Sequence, residues 1–252
     1  MSGVMKSILA AIMTLLVCSG ETIAATFATS HDFSVTLPSG WVEAPPEALR
    51  AIEAGIEQAS QGAIKEQFEY GYQLDSARVW FEYPYILVQV KRSGRIPEGQ
   101  MAQHKRSHSG IREGMEKAGE SLGAFLSGME QGETLYDEGD HVLWSTMTMN
   151  VQGVGDVRGL IAVKLTEFGF IQLMGYATKD TFAQYSPIFR EAVHTLAIDE
   201  QYEYQPRLTD HAPTVWGINL GQSAIAGLFG GLAGGVVALV AYLNKKRKRR
   251  DG

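Results

Sequence analysis

An uncharged run near the C-terminus constrains this chain more than any other feature. Residues 224–243 are 20 residues without a charge, and a block of basic residues follows almost at once. A helix rises about 1.5 Å per residue, so this run matches the roughly 30 Å hydrocarbon core of a bilayer. We predict one transmembrane helix at residues 216–244, with Trp216 and Tyr242 near its two ends, where amphipathic rings favour the interface.

The basic block sets the orientation of the predicted span. Basic residues beside a span stay on the cytoplasmic side, so residues 245–252 are predicted to form a cytoplasmic tail. A buried core helix is the alternative interpretation of the apolar run, but such a helix seldom ends in consecutive positive charges. The topology-setting residues are Lys245, Lys246, Arg247, Lys248, Arg249 and Arg250.

Glycines recur at four-residue intervals inside the predicted span. Because residues i and i+4 share a helix face, they form a groove of nearly bare backbone into which another helix can pack. The pattern resembles the glycine zippers of self-associating membrane segments, although Gly and Ala are also common in spans generally. The sequence leaves open whether the partner is a second copy or another protein. The predicted helix–helix interface consists of Gly227, Gly230, Gly231, Gly234 and Gly235.

The N-terminus has the composition of a secretory signal. Lys6 precedes an apolar stretch at residues 7–18, which is too short to span a bilayer but suits a signal-peptide core. Small residues at 24–25 supply a cleavage site, so residues 1–25 are predicted to be a signal peptide, with an uncleaved anchor as the alternative. Cys18, the only cysteine, either leaves with the signal or carries a lipid, and the sequence does not decide between these.

Signal and stop-transfer helix together predict an exported domain and an internal tail. The compact signal and the absence of an Asn-x-Ser/Thr sequence favour a bacterial source, so we expect a single-pass inner-membrane protein with a periplasmic domain. Between the predicted signal and tail, 15 basic and 26 acidic residues give a net charge of −11. An acidic domain repels phosphate backbones, which argues against nucleic acid as a partner.

Hydrophobic periodicity predicts one α+β domain at residues 26–200, an antiparallel sheet covered by helices. Alternation at 33–37 predicts a strand, and a proline pair at 45–46 opens a helix. Apolar runs separated by glycines predict three consecutive antiparallel strands over 141–177, and Ser-Pro at 186–187 marks the final helix. The other predicted elements are strands at 67–74 and 79–90, a long helix at 97–126 and a polar linker at 201–215.

Two histidines on the predicted long helix are the only metal-ligand candidates that the pattern suggests. His104 and His108 lie four residues apart and share a helix face. No glutamate follows His104 as in metalloproteases, and no third ligand is near in sequence, so boundary histidines on a packing helix are the favoured interpretation. The chain has no Gly-x-Ser-x-Gly elbow and no phosphate-binding loop. We therefore expect no metal, no cofactor and no catalysis.

Two local segments resemble a known family. Residues 33–41 (FSVTLPSGW) resemble the opening of PsbP-like and DcrB-like domains, and residues 175–177 (GYA) with 185–189 (YSPIF) are similar to their ending. The order of elements over residues 31–198 matches as well. The resemblance implies a PsbP-like layered sandwich and a non-enzymatic accessory or adaptor role. It carries over no catalytic residue, and the predicted span departs from the soluble members.

The leading functional hypothesis is therefore a membrane-anchored, extracytoplasmic adaptor that binds another protein. The alternative is a self-assembling membrane component that works through its glycine-rich span. A third hypothesis is a metal-binding or enzymatic domain that uses His104 and His108. The sequence does not name the partner, the process or the oligomeric state.

Overall fold

Two antiparallel sheets form the framework of the domain. The computed structural model of the chain describes residues 24–104, 120, 122–123 and 125–211. In this part of the chain, one sheet has the strand order β1-β2-β10 and the other β3-β4-β5-β9-β8-β7-β6. The strands are β1 (Ala24–Ala28), β2 (Phe33–Pro38), β3 (Trp41–Glu43), β4 (Tyr70–Leu74), β5 (Tyr85–Lys91), β6 (Leu126–Asp137), β7 (Val142–Val151), β8 (Gly155–Thr166), β9 (Gly169–Thr178) and β10 (Ala197–Ile198).

Short helices connect and cover the sheets. Among the described residues, they include α1 (Pro46–Ala59), α2 (Glu98–His104), α3 (Phe182–His194) and two 3₁₀ helices, η1 (Glu200–Tyr202) and η2 (Leu208–His211). The proline at the first position of α1 suits a helix start, since its missing N–H is not needed there. The predicted α+β class, with helices packed on an antiparallel sheet, is confirmed.

The central strands of the seven-stranded sheet, β5, β9 and β8, are buried on both faces. Along β5, Tyr85 and Leu87 face a core shared with α1, whereas Ile86 and Val88 face a second core shared with β2 and α3. This alternation follows from the two-residue period of a strand. Helix α3 lies so close to β9 that a side chain at Gly175 would collide with the ring of Phe189.

The meander β7-β8-β9 is confirmed, with register pairs running from Val142↔Lys164 to Thr166↔Gly169. Some predicted boundaries are wrong. The long helix predicted to reach residue 126 has ended by then, because Leu126 begins β6. The final helix begins at Phe182 and contains Pro187 in its interior, one turn after the start. Strand β5 begins only at Tyr85, directly after Pro84, which has no N–H for a ladder.

The predicted linker at 201–215 also needs correction. Residues 201–211 belong to the folded domain, and both Tyr204 and Asp210 are buried. The sequence predicts that this polar segment is exposed to solvent, but in the fold Asp210 pairs with Arg95, which lies 115 residues away in the loop after β5.

Several predictions fall outside the described residues. These are most of the signal peptide, Cys18, His108, the span at 216–244 with its five glycines, and the basic tail. Residues 24 and 25, where cleavage is predicted, are the first residues of β1. Within the part of the chain that the structure describes, no helix is long and apolar enough to cross a membrane.

Candidate functional site: a clasp on the C-terminal segment

A cluster of charged side chains fastens the segment after β10 to the domain. It comprises Arg95, Glu167, Tyr204, Arg207 and Asp210, and we call it the C-terminal clasp. Its members come from the loop after β5, the β8–β9 turn and the last described residues. The segment that it holds leads towards the predicted span.

A tight turn brings two of these regions together. Gly169 has φ +146, and a side chain there would collide with the carbonyl oxygen of Lys91 at the end of β5. The N–H of Gly94 donates to the carbonyl oxygen of Phe168 at 3.0 Å. Glycine at 169 therefore lets the β8–β9 turn lie against the loop that carries Arg95, which places Glu167 within reach of its guanidinium.

The central contact is a two-pronged ion pair between Arg95 and Asp210. Nη1 of Arg95 donates to Oδ1 of Asp210, and Nη2 donates to Oδ2, each at 2.7 Å. The side chains are largely removed from water, with 12% of Arg95 and 2% of Asp210 exposed. Bidentate pairs of this kind are among the stronger and more directional polar contacts in proteins.

Further ion pairs and hydrogen bonds reach the carboxylates of Glu167 and Asp210. Nε of Arg95 donates to Oε1 of Glu167 at 2.9 Å, and Arg207 pairs with the other oxygen of Glu167. The backbone N–H of Gln205 donates to Glu167 and that of Arg207 to Asp210, at 3.0 and 2.9 Å. The segment is thus held both by its side chains and by its own backbone.

Tyr204 links the clasp to a second polar group. Its hydroxyl donates to Oδ2 of Asp210 at 3.0 Å, the Arg95 guanidinium lies 4.4 Å from its ring centre, and the ring of His141 lies 5.0 Å away. His141 Nδ1 lies 3.1 Å from Oε1 of Glu98, which also accepts a hydrogen bond of 3.0 Å from Tyr136. The start of α2 and the β6–β7 turn therefore join the same contact region.

The electrostatics keep the clasp charged near neutral pH. Hydrogen bonds from Arg95 hold the pKa of Asp210 well below its usual range, although burial opposes this. Burial alone favours a higher pKa for Glu167, but the N–H of Gln205 and the Arg95 guanidinium lower its pKa overall. The bond to Asp210 raises the pKa of Arg95. Burial, with the hydrogen bond to Asp210, raises the pKa of Tyr204.

These properties are typical of a structural cluster of ion pairs and not of a catalytic site. A general base near neutral pH needs a pKa close to 7, whereas the clasp carboxylates are held ionised by their cations. No nucleophile stands beside a base in the cluster. What the arrangement does physically is hold residues 204–211 against the domain.

The sequence did not point to the clasp. Arg95 and Asp210 lie 115 residues apart, so no local spacing reveals the pair. The one available signal was Tyr202 and Tyr204 in an otherwise polar stretch, since aromatic residues in a true linker have nothing to pack against. His104 is the last described residue of α2, and the position of its side chain is not described. Within the described part of the chain, no three His, Cys, Asp or Glu residues group as a metal site.

Comparison with known proteins adds little on function. No protein-family model matches the chain, and no curated protein matches it in a sequence search. It is similar to the solution structure of cyanobacterial PsbP (CyanoP) from Synechocystis sp. PCC 6803, with 13% identity and a TM-score of 0.47. The match covers 73% of this chain and 98% of that one. A similarity at this level carries no information on activity, partners or site residues.

Proposed function

We propose that this protein is a membrane-tethered, extracytoplasmic adaptor. A single C-terminal span holds the α+β domain beside the membrane on the periplasmic side, and the domain binds another protein without catalysing a reaction. The observation that supports this best is the C-terminal clasp, which fastens the chain immediately before the predicted span.

A fastened tether favours an adaptor over a freely diffusing domain. Tethering raises the effective concentration of the domain for membrane partners, so even a modest affinity suffices. Because residues 201–211 are packed on the domain, only residues 212–215 separate it from the proposed span, which keeps one end of the domain close to the membrane. The surfaces that do not face the membrane are then offered to partners.

The outer edge of the seven-stranded sheet is the surface that we assign to the partner. Strand β6 is the last strand of that sheet, and Leu135 on it is 46% exposed. Glu130 and Glu133 are exposed on the same strand. Two register shifts interrupt the pairing of β6 with β7, which makes it an uneven template for adding a strand. We therefore expect a partner with an apolar and basic patch that contacts these side chains.

Photo-crosslinking in intact cells tests this proposal. A photoreactive residue replaces Leu135 in one variant and Lys179, exposed beyond the end of β9, in a matched control. Each protein is purified through a tag after Gly252, and mass spectrometry identifies what is attached. A foreign protein captured reproducibly from position 135 but not from position 179 supports the adaptor. Capture of that protein equally from both positions, or from neither, contradicts the assigned surface.

The glycine spacing of the predicted span favours one alternative, a self-assembling membrane component. In that case crosslinking yields only copies of this chain, and assemblies in detergent disappear when Gly231→Leu fills the groove. If Gly231→Leu assembles like the wild type, the glycine face does not hold copies together.

A further inference from the structure

The residues on either side of Leu208 keep it exposed on the surface of the domain. The residue has a relative exposure of 101%, the highest value among the large apolar residues that the structure describes. It lies in η2 between two members of the clasp, Arg207, which bonds Glu167, and Asp210, which bonds Arg95. Single exposed leucines are common, but Leu208 lies in a short turn in which Arg207 and Asp210 both form ion pairs with the domain.

The chain length between this turn and the predicted span is short. Residues 212–215 separate His211 from Trp216, the start of the predicted helix. Even fully extended, this connection reaches only roughly 18 Å, at about 3.5 Å per residue. A free linker from residue 201 would reach almost three times as far. The short connection therefore confines η2 to the neighbourhood of the membrane surface beside the proposed span, and the clasp attaches the rest of the domain to η2.

The residues beside the clasp have the composition of a membrane-interface contact. Phe168 follows the clasp residue Glu167, whose N–H donates to the carbonyl oxygen of Tyr202 at 2.9 Å. Phe168 and Tyr202 pack edge to face at 5.5 Å, and the guanidinium of Arg92 lies 4.3 Å from the centre of the Phe168 ring. Aromatic rings and arginines combine an apolar body with a polar group, which suits the headgroup region. Glu200 and Glu203 are exposed on the same segment, so attraction to anionic lipid is not what drives the contact.

We propose that the end of the domain formed by Phe168, Tyr202, Arg207 and Leu208 rests on the lipid surface, with Leu208 inserted among the headgroups. This inference depends on the proposed membrane tether and adds an orientation to it. Strand β9 has ten residues and starts at this end, so its other end lies roughly 30 Å away. Strands β8 and β9 then point away from the membrane and expose the turns beyond Thr178 to the periplasm.

Spin labels on the full-length chain in lipid nanodiscs test the orientation. In a Cys18→Ser background, one variant carries a label at Leu208→Cys and a matched control at Asp180→Cys, exposed two residues beyond β9. Oxygen concentrates in lipid and a nickel chelate stays in water, so the ratio of their relaxation effects reports depth. We expect this ratio to be several-fold higher at position 208 than at 180. Thermal unfolding equal to that of the parent confirms that both variants fold.

The outcomes separate this inference from the proposed tether. A chain that is extracted from membranes by carbonate contradicts the tether itself. A chain that stays in the membrane, with equally aqueous labels at 208 and 180, overturns only the orientation. Nanodiscs of purely zwitterionic lipid should give the same depth as those with anionic lipid. A label that leaves water only with anionic lipid contradicts insertion of Leu208 and points to charge attraction instead.

Discussion

The two ends of the described chain are attached to the domain in different ways. Strand β1 pairs with β2 along its whole length, from Ala24↔Pro38 to Ala28↔Ser34, while its side chains alternate between exposed and half-buried. The C-terminal segment makes one isolated bridge, Thr166↔Glu203, and beyond it depends mainly on side-chain contacts of the clasp.

This difference decides which substitutions each end tolerates. A backbone ladder uses N–H and C=O groups that almost every residue possesses, so pairing depends weakly on side-chain identity. The clasp depends on a few charged groups in fixed positions, and removing one leaves its partner buried and unpaired. The chain thus has one end that is robust to mutation and one whose attachment a single substitution breaks.

The largest expected effect comes from Asp210→Ala. The substitution removes the acceptor for Arg95, Tyr204 and the N–H of Arg207 together, and it leaves a largely buried guanidinium without its main partner. We expect the free energy of unfolding to fall by about 3–5 kcal/mol. Residues 204–211 should detach, so that trypsin cleaves after Arg207 many times faster, as measured by mass spectrometry of the released fragment.

Thr209→Ala is the matched control for Asp210→Ala, since Thr209 is exposed in the same turn and makes no contact in the clasp. Its cleavage rate and stability should equal those of the wild type. If Asp210→Ala is cut after Arg207 no faster than the control, side chains do not hold this segment.

The pH dependence of stability also tests the contribution of Asp210. The pKa of Asp210 is lowered in the fold, so its contribution to stability is fully present above the unfolded pKa of about 3.9 and is lost as the pH falls towards the lower folded pKa. The stability difference between wild type and Asp210→Asn should be constant from about pH 8 to 5 and shrink below about pH 4. Chemical denaturation at a series of pH values measures it. A difference that changes mainly between pH 5 and 7 would show that Asp210 is not the group whose ionisation links this contact to stability.

The strand pattern was readable from the sequence, whereas the clasp was not. The alternation of Phe33, Val35 and Leu37 with polar residues reports directly on one buried face, and so β2 was predicted almost to the residue. The partner of an arginine depends on the folded topology, which periodicity does not contain. Arg95 and Asp210 consequently read as ordinary surface charges, and the segment around Asp210 as a linker.

The start of α3 was also predicted wrongly because it depends on tertiary packing. Ser186 and Pro187 form a good local helix start, yet the packing of Phe182 against the second core starts α3 one turn earlier. Proline costs little near a helix start, where N–H groups have no partner within the helix, but at its sixth position Pro187 removes one internal bond. The core contact of the added turn outweighs that loss.

A smaller effect is expected from Phe27→Ala, which tests the N-terminal end. The Phe27 ring is half-buried and lies 5.0 Å from the ring of Tyr72, so its loss should lower the free energy of unfolding by about 1–2 kcal/mol. The backbone pairing of β1 should nevertheless persist, since none of its partners is removed. Hydrogen exchange at the amides of β1 measures this. Exchange as fast as in an unfolded peptide would show that one side chain, and not the ladder, holds this strand.

The smallest effect is expected from Thr26→Val on the exposed face of β1. Oγ1 of Thr26 lies 3.2 Å from Oγ1 of Thr36 across the strand pair, but water can replace this exposed hydrogen bond. Valine keeps the branched shape that strands favour, so the free energy of unfolding should change by less than about 0.5 kcal/mol. Thermal and chemical unfolding of Thr26→Val and Asp210→Ala, measured in parallel, compares the two ends of the chain directly. A loss comparable to that of Asp210→Ala would mean that β1 also depends on specific side-chain bonds, and the distinction between ladder and clasp would fail.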